Sequence, residues 1–287
     1  MTNFYLSFLG SILTQIKSSR DLELSKILLG AYLPGAELVE KPDQMPDIVI
    51  EHEHSDISRF IQEEGRVHVY GNWEKEFPLD FYHLLYSVIR VELLKRDLFP
   101  VHAACIGKDD YTLIVGHTGV GKTSIVLEIL KNKDLLLFSG NKTIVSFKGE
   151  GLEAIAGTKT LTARQKDIGR HLGYKIEIIQ YGNRAGLVFG NKTDKSGPIR
   201  AIVLVNLNDG VTENNLIEPS SALHRLYPYF LDTINADTII GQSVYVGTPP
   251  IGTQEKLAQN LKETLSKIPT YAVSGSMDFV CDSIIKI

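Results

Sequence analysis

Apolar residues recur along the chain in two regimes, and the change between them falls close to residue 97. The first residues, 1–13, read as a strand or helix of a folded domain. Residues 22–33 carry apolar side chains at helical spacing, and residues 47–50 and 66–70 alternate or cluster as short strands. Pro34-Gly35 and Lys41-Pro42-Asp43 punctuate these elements. One long helix follows. Pro78 suits its first position, and Phe81, Leu84, Leu85, Val88, Ile89 and Leu93 form a stripe that ends around Arg96. The segment Asp97-Leu98-Phe99-Pro100 stops it, because proline disfavours helix at the residue before it. A domain boundary is predicted here, with residues 1–97 as a small α/β accessory domain and residues 98–287 as a second domain.

Beyond Pro100 strands and tight turns dominate. Residues 101–106 read as a strand, Gly107-Lys108-Asp109-Asp110 as a hairpin turn, and residues 111–115 as the returning strand. Residues 124–130 continue as a helix with Ile125, Val126 and Ile129 on one side. Residues 135–139 and 143–147 read as further buried strands, and residues 199–207 are the most apolar run of all. A helix over 254–267 places Leu257, Leu261 and Leu265 at four-residue spacing, and a strand over 269–273 closes the pattern. The fold class that emerges is α/β.

Between the strand at 111–115 and the helix at 124–130 stands Gly116-His117-Thr118-Gly119-Val120-Gly121-Lys122-Thr123-Ser124, a complete phosphate-binding loop. The residue types follow from the chemistry. Gly119 and Gly121 let the backbone curl so that successive N–H groups point at phosphate oxygens, Lys122 reaches the β- and γ-phosphates, and the Thr123 hydroxyl is the metal ligand expected to meet Mg²⁺. The helix starting near Gly121 adds unpaired N–H groups and the positive end of its dipole beneath the same phosphates. A nucleotide is therefore the expected ligand. The alternative is an ordinary glycine-rich turn from strand to helix.

At 287 residues, 43% hydrophobic and 22% charged, the chain has the composition of an ordinary globular protein. A net charge of −4 gives no general reason to expect nucleic acid or an anionic membrane surface. No run approaches the roughly 18–20 apolar residues of a membrane span. The first residues lack a preceding basic residue and a clear cleavage site. Cys105 and Cys281 lie far apart without a metal-ligand spacing, so a reduced, cytoplasmic setting is expected.

The wording Pro100-Val101-His102-Ala103-Ala104-Cys105-Ile106, a short turn, the loop strand with Gly116 to Thr123, and an apolar strand after one helix resembles the HPr kinase/phosphorylase group, most closely its shorter relatives. The resemblance is strongest over residues 98–145, with weaker echoes at 198–207 and 268–278. It implies a P-loop nucleotide-binding domain on the scaffold shared with phosphoenolpyruvate carboxykinase, ATP and Mg²⁺ as cofactors, and transfer of a phosphoryl group to a hydroxyl of a peptide, protein or small molecule. The N-terminal region would help to select the acceptor, and the group's habit implies a homo-oligomer. His102 would sit near the γ-phosphate; its alternative reading is a core histidine on a strand. His117, in the variable part of the loop, is expected to point away from the phosphates.

The chain departs from the group where the strand after the loop helix should end in two aspartates. It has Ser139-Gly140-Asn141-Lys142 instead. Asn141 can still orient a hydroxyl or a metal-bound water, and Lys142 can add positive charge, so His102, Asn141 and Lys142 are the catalytic candidates. The loss also admits a second reading, a nucleotide-binding regulatory or assembly protein without transfer chemistry.

Further candidates are weaker. Residues 157–164 read as a phosphate-contacting loop or as a solvated turn before a helix. Arg200 opens a strand and could pair with phosphate, and Asp209 reads better as a turn residue than as a base. Asn191-Lys192-Thr193-Asp194 spells a guanine-reading motif, which admits an NTP-hydrolysing switch as a third reading.

Overall fold

The computed structural model describes residues 2–63, 65–131, 134–149, 151–164, 176–181, 184–234, 238–240, 243–245 and 247–287. The chain is mixed α/β with several sheets and divides into two units, Met1–Arg96 with Asn235–Pro249, and Asp97–Ile234 with Pro250–Ile287. The second excursion into the first unit, at 235–249, has no counterpart in the expected boundary at residue 97.

In the first unit, β1 (Thr2–Phe8) and β2 (Ile12–Ser18) form a hairpin whose turn puts Leu9 and Gly10 at φ 54° and 65°. With β3 (Ala36–Val39), β4 (Ile48–Glu53), β5 (Arg59–Glu63) and β6 (Arg66–Tyr70) they make a six-stranded sheet of order β3-β1-β2-β4-β6-β5. Helix α1 (Lys26–Tyr32) is shorter than the predicted 22–33. The reason is local: the Ser25 hydroxyl accepts from the Leu28 N–H as an N-cap, while Glu23 spends its backbone on Lys75 and Phe77. Helix α2 (Leu79–Lys95) begins one residue later than expected, with Pro78 as its N-cap. Its buried Phe81 stacks on Phe77, which meets Phe4 of β1 and His52 of β4, so an aromatic cluster ties helix to sheet. A two-stranded ribbon, β18 (Thr238–Ile240) with β19 (Ser243–Tyr245), belongs to this unit.

The second unit is built on β7 (Leu98–Val101), β8 (Ala103–Gly107), β9 (Tyr111–Val115), β10 (Leu136–Ser139), β11 (Thr143–Lys148), β12 (Gly151–Gly157), β16 (Gly197–Leu207), β17 (Glu213–Leu216) and β20 (Thr270–Gly275). These form one sheet in which β10-β8-β9-β16-β12-β11-β7 are neighbours and β20, flanked by β17, pairs with β16. The strand predicted over 101–106 is split at His102, because β7 pairs with β11 whereas β8 pairs with β9 and β10. A smaller sheet, β13 (Thr160–Arg164), β15 (Arg184–Phe189) and β14 (Ile176–Tyr181), adjoins in sequence. Residues 160–164 are therefore strand, neither a phosphate loop nor a turn before a helix.

Helices α3 (Lys122–Ile129) and α6 (Met277–Lys286) share one core with the sheet, made by Ile125, Val126 and Ile129 against Ile114, Val203, Val205, Val273 and Val280. Helix α4 (Pro219–Ile234) packs with α5 (Thr253–Leu265). Among the described residues no helix is long and apolar enough to cross a membrane.

Candidate functional site

Strand β9 runs parallel to β16, and β16 parallel to β20, while β10 and β9 both run antiparallel to β8. The C-terminal ends of β9, β10, β16 and β20 therefore gather at one end of the sheet, together with the start of β8. The loop Gly116–Gly121 leaves from this end. Gly119 and Gly121 sit at φ 90° and 95°, a conformation that other residues adopt only with strain. Gly121 has a second constraint, since a Cβ there would lie 2.3 Å from Leu207 Cδ1.

Lys122 opens α3 and is buried, 8% exposed. Its Nζ donates to the carbonyls of Gly116 at 2.6 Å and His117 at 3.1 Å. Burial pulls its pKa down from 10.5 to about 8. Thr123 and Ser124 are half-buried in the same first turn, where helix N–H groups have no intrahelical partner. Backbone donors, a buried ammonium and a hydroxyl thus converge on one spot, a constellation suited to phosphate. His117 and Thr118 are exposed. The His117 ring lies 5.2 Å from that of Tyr229 on α4.

The pairing of Ala103 with Val115 puts His102, half-buried, next to the start of the loop. Ser139 pairs with Cys105, so Asn141 and Lys142 emerge at the same end, two strands from β9 and roughly 10 Å away at the usual strand spacing. Their backbone is clamped. Buried Thr158 accepts from Asn141 N at 3.1 Å and Lys142 N at 3.2 Å, and the Lys142 carbonyl accepts from Ser139 Oγ at 2.7 Å. Thr123 is the one protein oxygen of the loop suited to Mg²⁺, an ion that keeps several waters and takes other ligands from substrate phosphates. Among the described residues no group of three His, Cys, Asp or Glu is arranged to hold a metal.

Other candidates lie elsewhere. Arg200 is paired with Asp110 at 3.5 Å, at the opposite end of the sheet, because β16 starts where β9 starts. Asp209 is exposed in a turn where Asn208 Oδ1 accepts from Gly210 N. The guanine-type motif at 191–194 runs beside β10, with Asn191 O and Thr193 N bonded to Leu137 and Asp194 paired with Lys159 at 3.0 Å. Lys195, next in line, gives its carbonyl to the Tyr111 hydroxyl at the start of β9, so this segment cannot read a base beyond the loop.

The sequence gave no hint of a cleft of about 460 Å³ next to the loop, lined by Gly116, His117 and Val120, by Leu204 to Asn206 of β16, by Ala272 and Ser274 of β20, and by His224, Arg225, Pro228 and Tyr229 of α4. The signal was present in Leu223, Leu226 and Phe230 at helical spacing after Pro219-Ser220, a helix whose outer residues reach the cleft. No protein-family model matches the chain, and a search of curated proteins finds no match to it.

Proposed function

We propose that the chain binds ATP at residues 116–124 and is a phosphotransferase of the HPr-kinase-like, phosphoenolpyruvate-carboxykinase-like type, moving the γ-phosphate to a hydroxyl. The observation that carries this reading is Lys122. It is a buried cation at a helix N-terminus, held only by carbonyls of its own glycine-rich loop, and it gains a proper counter-charge when phosphate enters. Gly116 to Gly121 supply backbone donors to the phosphates, with His117, Thr118 and Val120 contributing their N–H groups. Thr123 would hold Mg²⁺, which supplies charge neutralisation when bound, and Ser124 continues the first turn. His102 orients the terminal phosphate from the neighbouring strand. Asn141 and Lys142 face the same end, where an amide and an ammonium replace the acids of the related enzymes. Phosphoryl transfer is mostly positioning and charge neutralisation, so it survives the loss of a carboxylate base at a cost of roughly 10²–10⁴ in rate.

One observation favours a second reading, nucleotide binding without transfer: the Thr158 clamp makes residues 140–142 a rigid structural turn, with no acid at its tip. Calorimetric titration of ATP with Mg²⁺ and again with EDTA, using Lys122→Ala as the blank, tests both. Tight binding that requires Mg²⁺ supports the kinase, binding indifferent to Mg²⁺ supports the non-catalytic reading, and no binding sinks both.

A further inference from the structure

We propose that the cleft beside the loop is the acceptor pocket and that its substrate is a small hydroxyl compound carrying its own negative charge, a carboxylate or a phosphate ester. This rests on the kinase reading above. Position comes first. The loop lysine is the side chain that reaches the β- and γ-phosphates, and Lys122 points to Gly116 and His117, so the terminal phosphate belongs at that part of the loop. Gly116 and His117 are also where the loop meets the cleft, which therefore opens on the phosphate that is transferred.

Charge decides the class. None of the residues lining the cleft is acidic, while His224 and Arg225 stand at its α4 side. Arg225 has no hydrogen bond or ion pair among the described residues, unlike Arg96 and Arg200, which have carboxylate partners. A guanidinium left open beside a pocket selects carboxylate or phosphate, which it can grip with two parallel bonds. An amine substrate would meet repulsion and find no counter-charge. The apolar floor of Leu204, Ala272 and Pro228 suits a short carbon skeleton, and a volume of about 460 Å³ is of small-molecule size. In the transfer, the acceptor oxygen bonds to the γ-phosphorus, the bond from that phosphorus to the bridging oxygen breaks with its electrons going to ADP, and the hydroxyl proton passes to the His117 imidazole.

The test uses a matched series of three-carbon probes. The full chain is first titrated with the β,γ-imido analogue of ATP, then, with the loop filled, with glycerate, glycerol 3-phosphate, glycerol and 3-amino-1,2-propanediol. The anions are expected to bind and the neutral and cationic probes not to. Arg225→Glu, a change at an exposed side chain, should weaken anion binding by about tenfold or more while leaving the first titration unchanged. Preference for glycerate assigns a carboxylate, and preference for glycerol 3-phosphate a phosphate ester. Anions that bind no better than glycerol, or bind Arg225→Glu as well as wild type, overturn the pocket assignment with the loop reading intact. Failure of the first titration overturns the nucleotide reading and this inference with it.

Discussion

Where β8 turns into β9, cations of the large sheet stand against carboxylates: Arg200 against Asp110 at 3.5 Å and Lys195 against Asp109 at 3.1 Å. Where β9 opens into Gly116–Gly121, Lys122 is buried against two carbonyl oxygens, and Arg225 has no ion pair among the described residues. The same residue types thus do opposite work at the two ends. The far-end pairs are exposed, so they fix turns in water and contribute little stability. The loop end keeps positive charge uncompensated. That costs stability in the empty protein and becomes affinity when an anion arrives.

Lys122→Ala is the largest test of this contrast. It should weaken ATP binding by about 100-fold, the scale of a lost charged hydrogen bond, as read by calorimetry. Wild-type affinity in the variant would erase the distinction between the ends. The pH dependence sharpens it. Burial holds the Lys122 pKa at about 8 in the folded chain, below its ordinary 10.5, so between these values the unfolded chain binds more protons than the folded one. The contribution of this group to stability therefore rises with pH from about 8 to 10.5, and the cost of burying its charge is fully present below about 8. Phosphate restores the charged form, so ATP binding at pH 9 should take up protons. Binding enthalpies that differ between buffers of different ionisation heat would register this uptake, and Lys122→Ala should abolish the difference.

Gly121→Ala comes next. A side chain at φ 95° costs about 1–3 kcal/mol, and the new Cβ would also press on the end of Leu207. Thermal unfolding should move down and ATP affinity should fall. Gly119→Ala shares the strain at φ 90° but meets nothing within 4 Å, so it should cost less. Equal costs would mean that packing against Leu207 is irrelevant to the loop. Thr158→Val removes the acceptor for Asn141 N and Lys142 N, and two N–H groups lose their partner at about 1–3 kcal/mol. If residues 140–142 are only a structural turn, ATP affinity stays at the wild-type value while the melting temperature drops. A matching loss of affinity would join this turn to the loop.

The loop was legible in the sequence because each of its residue types answers a local demand: left-handed φ at Gly119 and Gly121, a cation at Lys122, a hydroxyl at Thr123. The long helix was legible from its apolar stripe and Pro100. The break at His102 was not, since it depends on which distant strands claim each half of 98–107. Helix 22–33 was overdrawn because the periodicity carries no sign that the Glu23 backbone is taken by Lys75 and Phe77. Arg200 was misplaced for a simpler reason. The start of a strand parallel to the loop strand lies at the end remote from the loop. The cleft escaped notice because Gly116, Asn206, Arg225 and Ser274 come from segments more than 150 residues apart at the extremes.

Asp110→Asn is the smallest change and the control on all the others. It removes the partner of Arg200 in a pair whose side chains are 44% and 49% exposed, so its effect on stability should stay below about 1 kcal/mol. ATP affinity should not move, because the pair stands at the start of β9 and β16 while the loop leaves from their far ends. Screening by salt supplies the second half of the argument. Raising ionic strength should erase what little Asp110 contributes, whereas the buried contact of Lys122 with a bound phosphate is shielded less. A fall in ATP affinity for Asp110→Asn would mean that charge at the far end reaches the loop through the strands, and the two ends would have to be treated as one electrostatic unit.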